Sequence, residues 1–261
     1  MAPSISECER LMAALASAVY EAGEVIMKIH AVGVEARRKS DGSPVTEADE
    51  AAEAIVLAAL AKAAPDIPVI SEENSESHHL DAPDVFFLVD PIDGTREFLR
   101  PDGNGAFTVN IGLIADRRPV AGIVFAPALD RYFSGVVGSS AYETCDGLTR
   151  DIQIRNVPET GAVAVASRSH RDPVTNGWLD AQRITKTTAI GSSVKFCLLA
   201  SGEADAYPRF APTMEWDTAA GEAVLRAAGG RVETPEGQPF IYGKPGYRNG
   251  HFIALGGFQP C

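Results

Sequence analysis

The apolar run Val85-Phe86-Phe87-Leu88-Val89 ends on Asp90-Pro91-Ile92-Asp93-Gly94-Thr95. Such a run reads as a strand buried on both faces. The chain must therefore fold with two carboxylates, three residues apart, where a core strand ends. Gly94-Thr95 lead into Arg96-Glu97-Phe98-Leu99, which reads as a first helical turn. Carboxylates at a strand end, beside the free backbone N–H groups of a helix start, can hold a divalent cation and a phosphate together. The pattern points to metal-assisted phosphate chemistry.

The 261 residues fit one large domain or two small ones sharing an interface. A net charge of −12 argues against non-specific nucleic-acid binding, which needs a basic surface. It leaves room for a small anionic substrate, because bound cations reverse the local sign. Cys8, Cys145, Cys197 and Cys261 are scattered without a CxxC pair, as expected for reduced thiols in a cytosolic protein. The apolar stretch Leu11–Tyr20 is short and follows Glu7 and Glu9, so it lacks the basic start of a signal peptide. Leu11, Leu15, Ala18, Ala22, Val25 and Ile29 follow a helical stripe instead, predicting an amphipathic helix and no transmembrane segment.

That first helix is predicted over Ser6–His30, and a second from a Thr46 cap to about Ala63. Val69-Ile70 read as a strand stopping at Ser71-Glu72-Glu73, and the polar segment Glu73–Pro83 as a mobile loop. Phe107–Ala115 and Val120–Phe125 form a hairpin pattern that Arg131–Val137 continues. Further strands are predicted at Ile152–Arg155, Val163–Ala166, Ala204–Phe210, Arg231–Glu233 and Phe252–Leu255. Helices are predicted at Ser192–Ser201 and Thr218–Ala228, the latter ended by Gly229-Gly230. The pattern changes near Asp146–Asp151, which predicts an N-terminal half over 1–147 and a C-terminal half over 148–261.

Asp49, Glu72, Asp90, Asp93 and Asp217 all fall at predicted element ends. Crowded carboxylates repel unless cations compensate. An oxygen-only donor set selects hard cations, Mg²⁺ first and Mn²⁺ second. Asp90 is the natural bridge between two metals, and the Ile92 carbonyl, freed by the turn after Pro91, is a further donor. Two metals about 3.5–4 Å apart would activate a water and stabilise a leaving oxygen. The amides of Gly94 and Thr95 could hold phosphate oxygens, and the Thr95 hydroxyl could bond Asp49 and orient the water. Each residue taken singly has a plainer explanation. Asp49 reads equally as the fourth member of a Thr46 capping box, Asp217 as a helix N-cap, Glu72 as a solvated loop acid and Asp90–Thr95 as a turn.

Together these positions resemble the inositol monophosphatase superfamily of metal-dependent, lithium-sensitive phosphatases. The D-P-[IL]-D-G-T signature is Asp90–Thr95, the upstream acidic pair is Glu72-Glu73, and the W-D-x-A-A-G element is Trp216–Gly221. The T-x-A-D loop is Thr46-Glu47-Ala48-Asp49. Asp41–Thr46, Asp93–Phe98, Phe107–Ile111, Ser167–His170 and Gly191–Leu198 look like the superfamily's 3′(2′),5′-bisphosphate nucleotidase branch. Glu97 stands where inositol monophosphatases usually carry Asn, and Ser192–Lys195 supply an S-x-x-K pattern they generally lack. Tyr207-Pro208-Arg209 fits the same branch.

The resemblance implies a layered α/β (α+β) sandwich: a helix pair on an antiparallel sheet, a smaller mixed α/β half, and a site between the two. It implies Mg²⁺-dependent hydrolysis of adenosine 3′,5′-bisphosphate to AMP and phosphate. Glu72, Asp90, Asp93, Asp217 and the Ile92 carbonyl would hold two or three Mg²⁺, and Asp49 and Thr95, with Glu72 beside them, would activate water. Gly94, His170, Ser192, Lys195 and Arg209 would contact the nucleotide. The implied partner is thus a small phosphorylated nucleotide and no nucleic acid. A homodimer is compatible, as is a cytoplasmic protein, free or peripheral at the inner membrane. Inositol monophosphatase or fructose-1,6-bisphosphatase activity is the alternative, and a non-catalytic metal or nucleotide sensor a rival of another class. His78-His79 read as solvated, Cys197 as core, Trp216 as packing beside the site and Lys39 as a surface charge.

Overall fold

The computed structural model describes residues 2–33, 36–38, 44–100, 105–167 and 172–260. Helix α1 (Ile5–Val32) starts at a capping box: Ser4 Oγ accepts from the Glu7 amide, and the Glu7 carboxylate from the Ser4 amide. Strands β1 (Arg37–Arg38) and β2 (Pro44–Val45) form a small antiparallel pair before α2 (Glu47–Ala63). There follow β3 (Val69–Ser71), β4 (Val85–Asp93) and the single turn α3 (Thr95–Phe98). A meander runs through β5 (Thr108–Ala115), β6 (Arg118–Ala126), β7 (Arg131–Val136), β8 (Ala141–Cys145) and β9 (Leu148–Ile152). Strands β3 to β9 make one sheet in sequence order, antiparallel except for β3 beside β4.

The second sheet has the order β11-β10-β12-β16-β14. It is built from β10 (Val163–Ser167), α4 (Pro173–Ala181), β11 (Lys186–Ile190), α5 (Val194–Ala200) and β12 (Ala206–Arg209). Then come β13 (Thr213–Met214), α6 (Ala219–Ala227), β14 (Arg231–Glu233), β15 (Arg248–Asn249) and β16 (Phe252–Leu255). Strands β13 and β15 form a separate two-stranded pair.

Strand alternation divides the large sheet into two faces. Phe87, Val89, Ile111 and Leu113 pack against α1 and α2. Phe86, Leu88 and Val124 pack with Phe196 of α5, Val224 of α6 and Phe252 of the second sheet. The second apolar cluster thus joins the two halves.

Helix α6 approaches the large sheet over a row of glycines. Gly112, Gly122 and Gly135 are direct cross-strand neighbours on β5, β6 and β7. A Cβ at Gly112 would stand 2.7 Å from Ala219 Cβ, at Gly122 2.6 Å from the Ala220 carbonyl, and at Gly135 2.7 Å from Val224 Cα. No side chain fits between sheet and helix there, so α6 rests on bare backbone.

Several expectations are corrected. The Asp146-Gly147 turn closes the β8–β9 hairpin, so the large sheet continues through Ile152 and not only to residue 147. The strand expected at Ile152–Arg155 lies earlier, at Leu148–Ile152. Helix α4 and strand β11 went unforeseen: β11, Lys-Thr-Thr-Ala-Ile, is an exposed edge with no apolar alternation. The Glu73–Pro83 segment, expected as a loop, contains a 3₁₀ turn at Ser77–His79, with Ser77 Oγ donating to the Asn74 carbonyl at 2.6 Å. His78 is half-buried, with its ring stacked on Trp216 at 4.6 Å and Nε2 2.7 Å from the Ser71 carbonyl, whereas His79 is exposed as expected. Cys197 is core, as expected.

The glycine row sets a prediction. Gly122→Ala places a methyl against the α6 backbone and is expected to lower unfolding free energy by about 1–3 kcal/mol, the usual cost of overpacking. Urea denaturation measures it; an unchanged midpoint would show that the helix has room to move.

Candidate active site

The site begins with a bulge. Asp90 pairs with Asn110 and Asp93 with Thr108, so Pro91 and Ile92 together oppose Val109 alone. In a regular strand, residues three apart point to opposite faces. The extra residue restores parity, and both carboxylates face the side that carries α5 and α6. The strand then ends at Gly94, whose φ of 94° is left-handed and suits glycine.

Glu72 follows β3, and its amide donates to the Val89 carbonyl, so the parallel β3–β4 pair carries it beside Asp90. Asp217 arrives from the other half, just ahead of α6. It is not the N-cap: Thr218 holds that position, and Asp217 Oδ2 accepts the Met214 amide at 2.7 Å. Carboxylate oxygens of Glu72, Asp90 and Asp217 lie within 4.8 Å of one another. Burial, then the charges of Glu72, Asp93, Asp217 and Asp49, hold the Asp90 carboxyl well above its usual range. Asp217 is raised in the same way, by burial and by Asp93 and Glu72. Asp90 Oδ2 is buried with no hydrogen-bond partner among the described residues. An orphaned carboxylate oxygen in an all-oxygen acidic trio fits a hard divalent cation.

Asp93 falls outside that trio. Its Oδ2 accepts the Ser193 amide at 2.5 Å. Burial pushes its carboxyl up to about 6, against the opposing pull of Lys195. Asp49 takes the capping-box role that the sequence offered for it. Its Oδ2 accepts from the Thr46 amide at 2.8 Å and hydroxyl at 2.7 Å, completing the capping box, and its charge still acts on Asp90. The expected Thr95–Asp49 bond is not formed. Thr95 Oγ1 donates to the Ile92 carbonyl at 3.2 Å, across the tight turn after β4. That carbonyl keeps a second lone pair for another partner.

Glu72, Asp93, Gly94, Thr95 and Asp217 share one cleft of about 260 Å³ with Ser192, Lys195 and Arg209. Lys195 is buried, not solvated. Its Nζ donates to the carbonyls of Ser192 at 2.5 Å and Ile190 at 3.3 Å, and lies 5.1 Å from the Tyr207 ring centre. Burial lowers its ammonium to about 8 although Asp93 opposes the shift. Arg209, which also lines the cleft, donates from Nε to the Ala211 carbonyl and from Nη2 to that of Pro212. His170 and Lys39, with Asp41–Ser43 and Arg168-Ser169, lie outside the described residues.

Sequence reasoning missed the groups that hold Asp217 in place. The buried Glu215 carboxylate accepts from the amides of Gly243 at 2.7 Å and Lys244 at 3.0 Å, and pairs with Lys244 Nζ at 2.7 Å. The Asn249 amide nitrogen lies 2.7 Å from the Met214 carbonyl and 3.0 Å from Thr218 Oγ1. Glu222, on α6, accepts from the Tyr242 hydroxyl at 2.8 Å. Only the unusual sequence of a Glu inside an apolar helix hinted at the last.

The inositol monophosphatase family model matches residues 7–254. This chain belongs to that family. It is similar to the 3′(2′),5′-bisphosphate nucleotidase CysQ of Escherichia coli O157:H7, 43% identical over 85% of this chain and 89% of that protein. The Salmonella typhimurium protein of the same name is 44% identical over the same shares. Among solved structures, CysQ from Bacteroides thetaiotaomicron superposes with a TM-score of 0.80 at 34% identity, over 97% of this chain and 98% of that one. An IMPase from Thermotoga maritima, at 22% identity, 92% and 90% coverage and a TM-score of 0.75, shares the fold. The family resemblance and the layered α/β class read from the motifs are thereby shown. Inositol monophosphatase family enzymes use divalent metals, which accords with the acidic trio. No helix among the described residues is long and apolar enough to cross a membrane.

The Glu222 carboxyl yields a pH prediction. Burial pushes it from 4.5 up to about 7, outweighing the Tyr242 bond. The unfolded chain ionises this group near 4.5, so the folded state loses stability as pH rises from there to about 7, then no further. Glu222→Gln is neutral throughout. It is expected to flatten that part of the curve and to exceed the parent at pH 8 by on the order of 1–3 kcal/mol. Denaturation at pH 5 and pH 8 tests this, and equal pH slopes in the two proteins would refute it.

Proposed function

We propose that this protein is a Mg²⁺-dependent phosphatase that hydrolyses adenosine 3′,5′-bisphosphate to AMP and phosphate. The observation that carries the reading is one cleft lined by two unlike sets of groups: Glu72 and Asp217 of the acidic trio, whose buried member Asp90 has an orphaned oxygen, and two buried cations, Lys195 and Arg209. The first suits metal and the scissile phosphate; the second suits a remote phosphate. The likeness to proteins named bisphosphate nucleotidase supports the same substrate.

Glu72, Asp90 and Asp217 would hold the metal, with Asp93 and the Ile92 carbonyl serving a second or third ion; Mn²⁺ is the alternative to Mg²⁺. The bound metal supplies Lewis-acid stabilisation of the phosphoryl group and acidifies the attacking water. Thr95 Oγ1 accepts a hydrogen bond from that water. Its own hydrogen, now on the Ile92 carbonyl, turns toward Asp49, which Thr46 holds as the base on that side. The amides of Gly94 and Thr95 face phosphoryl oxygens. Water oxygen bonds to phosphorus as its proton passes by way of Thr95 to Asp49, and the bond from phosphorus to the 3′ oxygen breaks. That oxygen takes a proton from a solvent water as AMP leaves, and the hydroxide so formed takes the proton back from Asp49. Lys195, Ser192 and Arg209, with His170, grip the 5′-phosphate and ribose. Every group used belongs to one chain. A cytoplasmic location suits the free, buried thiols of Cys8 and Cys197.

Two variants test this reading. Lys195→Ala removes a charge-assisted contact of about 1.5–3 kcal/mol, so kcat/KM for the bisphosphate should fall roughly 10–100-fold. Adenosine 3′-phosphate, which has no remote phosphate, should be affected far less, and equal losses on both would remove the argument. Asp90→Asn should lower metal-dependent turnover roughly a hundredfold or more with an intact fold by circular dichroism. A parent enzyme that prefers inositol 1-phosphate or fructose 1,6-bisphosphate at equal Mg²⁺ would overturn the substrate assignment. One that releases phosphate from none of them would favour a sensor.

A further inference from the structure

The turn at Ile190–Ser193 carries Ser192 and leads into Lys195, yet one of its residues points away from the cleft. Ser193 is buried, and its hydroxyl reaches across to the large sheet. Ser193 Oγ donates to Asn110 Oδ1 at 2.7 Å and lies 2.8 Å from Thr108 Oγ1. One hydroxyl has one hydrogen to give, so Thr108 is the donor of the second bond. Asn110 and Thr108 are the cross-strand partners of Asp90 and Asp93. The Ser193 amide also donates to Asp93 Oδ2 at 2.5 Å. One residue therefore grips both strands of the bulge that turns the two carboxylates to the same face.

The other side of the turn is equally constrained. Lys195 Nζ donates to the Ser192 and Ile190 carbonyls, so the cation holds the turn it follows. A Cβ at Gly191 would meet the Ala106 carbonyl at 2.9 Å and the Glu97 side chain at 2.7 Å. Ser192 stands in the left-handed region at φ 48°, unusual for a residue with a side chain. The turn has no slack between Lys195 and Asp93.

We infer that Ser193 is a positioning residue that couples the remote-phosphate grip at Lys195 to the acidic metal centre through its bonds to Thr108, Asn110 and Asp93. The inference rests on the bisphosphate reading for the identity of the anion. An anion drawn to Lys195 moves a turn that is hydrogen-bonded to Asp93, so anion and metal each tighten the other's binding. Such coupling is reciprocal and separable from either affinity alone.

The test is the Mn²⁺ dissociation constant of the full chain, read by electron paramagnetic resonance with and without saturating AMP, whose phosphate is the 5′ one. In the parent, AMP is expected to tighten Mn²⁺ binding fivefold or more. Ser193→Ala should bring that ratio to twofold or less, and Ser193→Thr, which keeps the hydroxyl, should retain most of it. Thr108→Val removes the donor to Ser193 without changing shape; it should reduce the ratio in the same direction and stands as the test if Ser193→Ala does not fold. A ratio in Ser193→Ala equal to the parent's overturns the inference, as does a parent ratio near one. A merely structural Ser193 would weaken Mn²⁺ equally with and without AMP. Failure of the bisphosphate reading shows separately, as no turnover of the bisphosphate by the parent; the ratio measured with inorganic phosphate in place of AMP then judges Ser193.

Discussion

A helix can lie on a sheet at backbone distance only where the sheet carries no side chains. Gly112, Gly122 and Gly135 provide that strip across three adjacent strands, and Ala219, Ala220 and Ala223 keep the helix side small. The consequence reaches beyond packing. Helix α6 belongs to the second half of the chain, yet it covers the first sheet, and Asp217 sits just before its first turn. A bulkier strip would lift the helix and carry Asp217 away from Glu72 and Asp90. The acidic trio is thus a consequence of three missing side chains.

Gathering those acids runs against electrostatics. Burial, then the charges of Glu72 and Asp93, raise the proton affinity of both Asp90 and Asp217, and the Asp217 charge adds to the effect on Asp90. The fold compensates in part with backbone amides, Met214 N–H on Asp217 and Ser193 N–H on Asp93, and with the Lys195 charge. Asp90 Oδ2 has no such partner among the described residues. Glu215, by contrast, is anchored by two amides and a lysine, so the acidic trio is the place where a hard cation fits.

Much of this was legible in the sequence because it depends on short-range pattern. The Val85–Val89 run and its acidic end, the Thr46 cap and the stripe of α1 all repeat at strand or helix period, and all appear as expected. The misses share a cause. Strand β11 is an edge with exposed side chains, so it has no apolar signature. His78 lies in a polar stretch, but its ring is taken up by Trp216, far along the chain. Thr95 was expected on Asp49, and a carbonyl three residues back was the closer partner.

The sequence alone determined which chemistry was possible: oxygen donors at strand ends, a fixed cation later in the chain, and a net charge of −12 that argues against non-specific nucleic-acid binding. Those are properties of residue types and local spacing. Only the tertiary structure decided which donors meet. Asp90 and Asp93 share a face because Val109 alone opposes Pro91 and Ile92, and spacing cannot reveal a bulge. Ser193 and Asn110, 83 positions apart, touch because two strands and a turn converge on them. Contacts between distant segments are set by packing of the whole chain, and no local period records them.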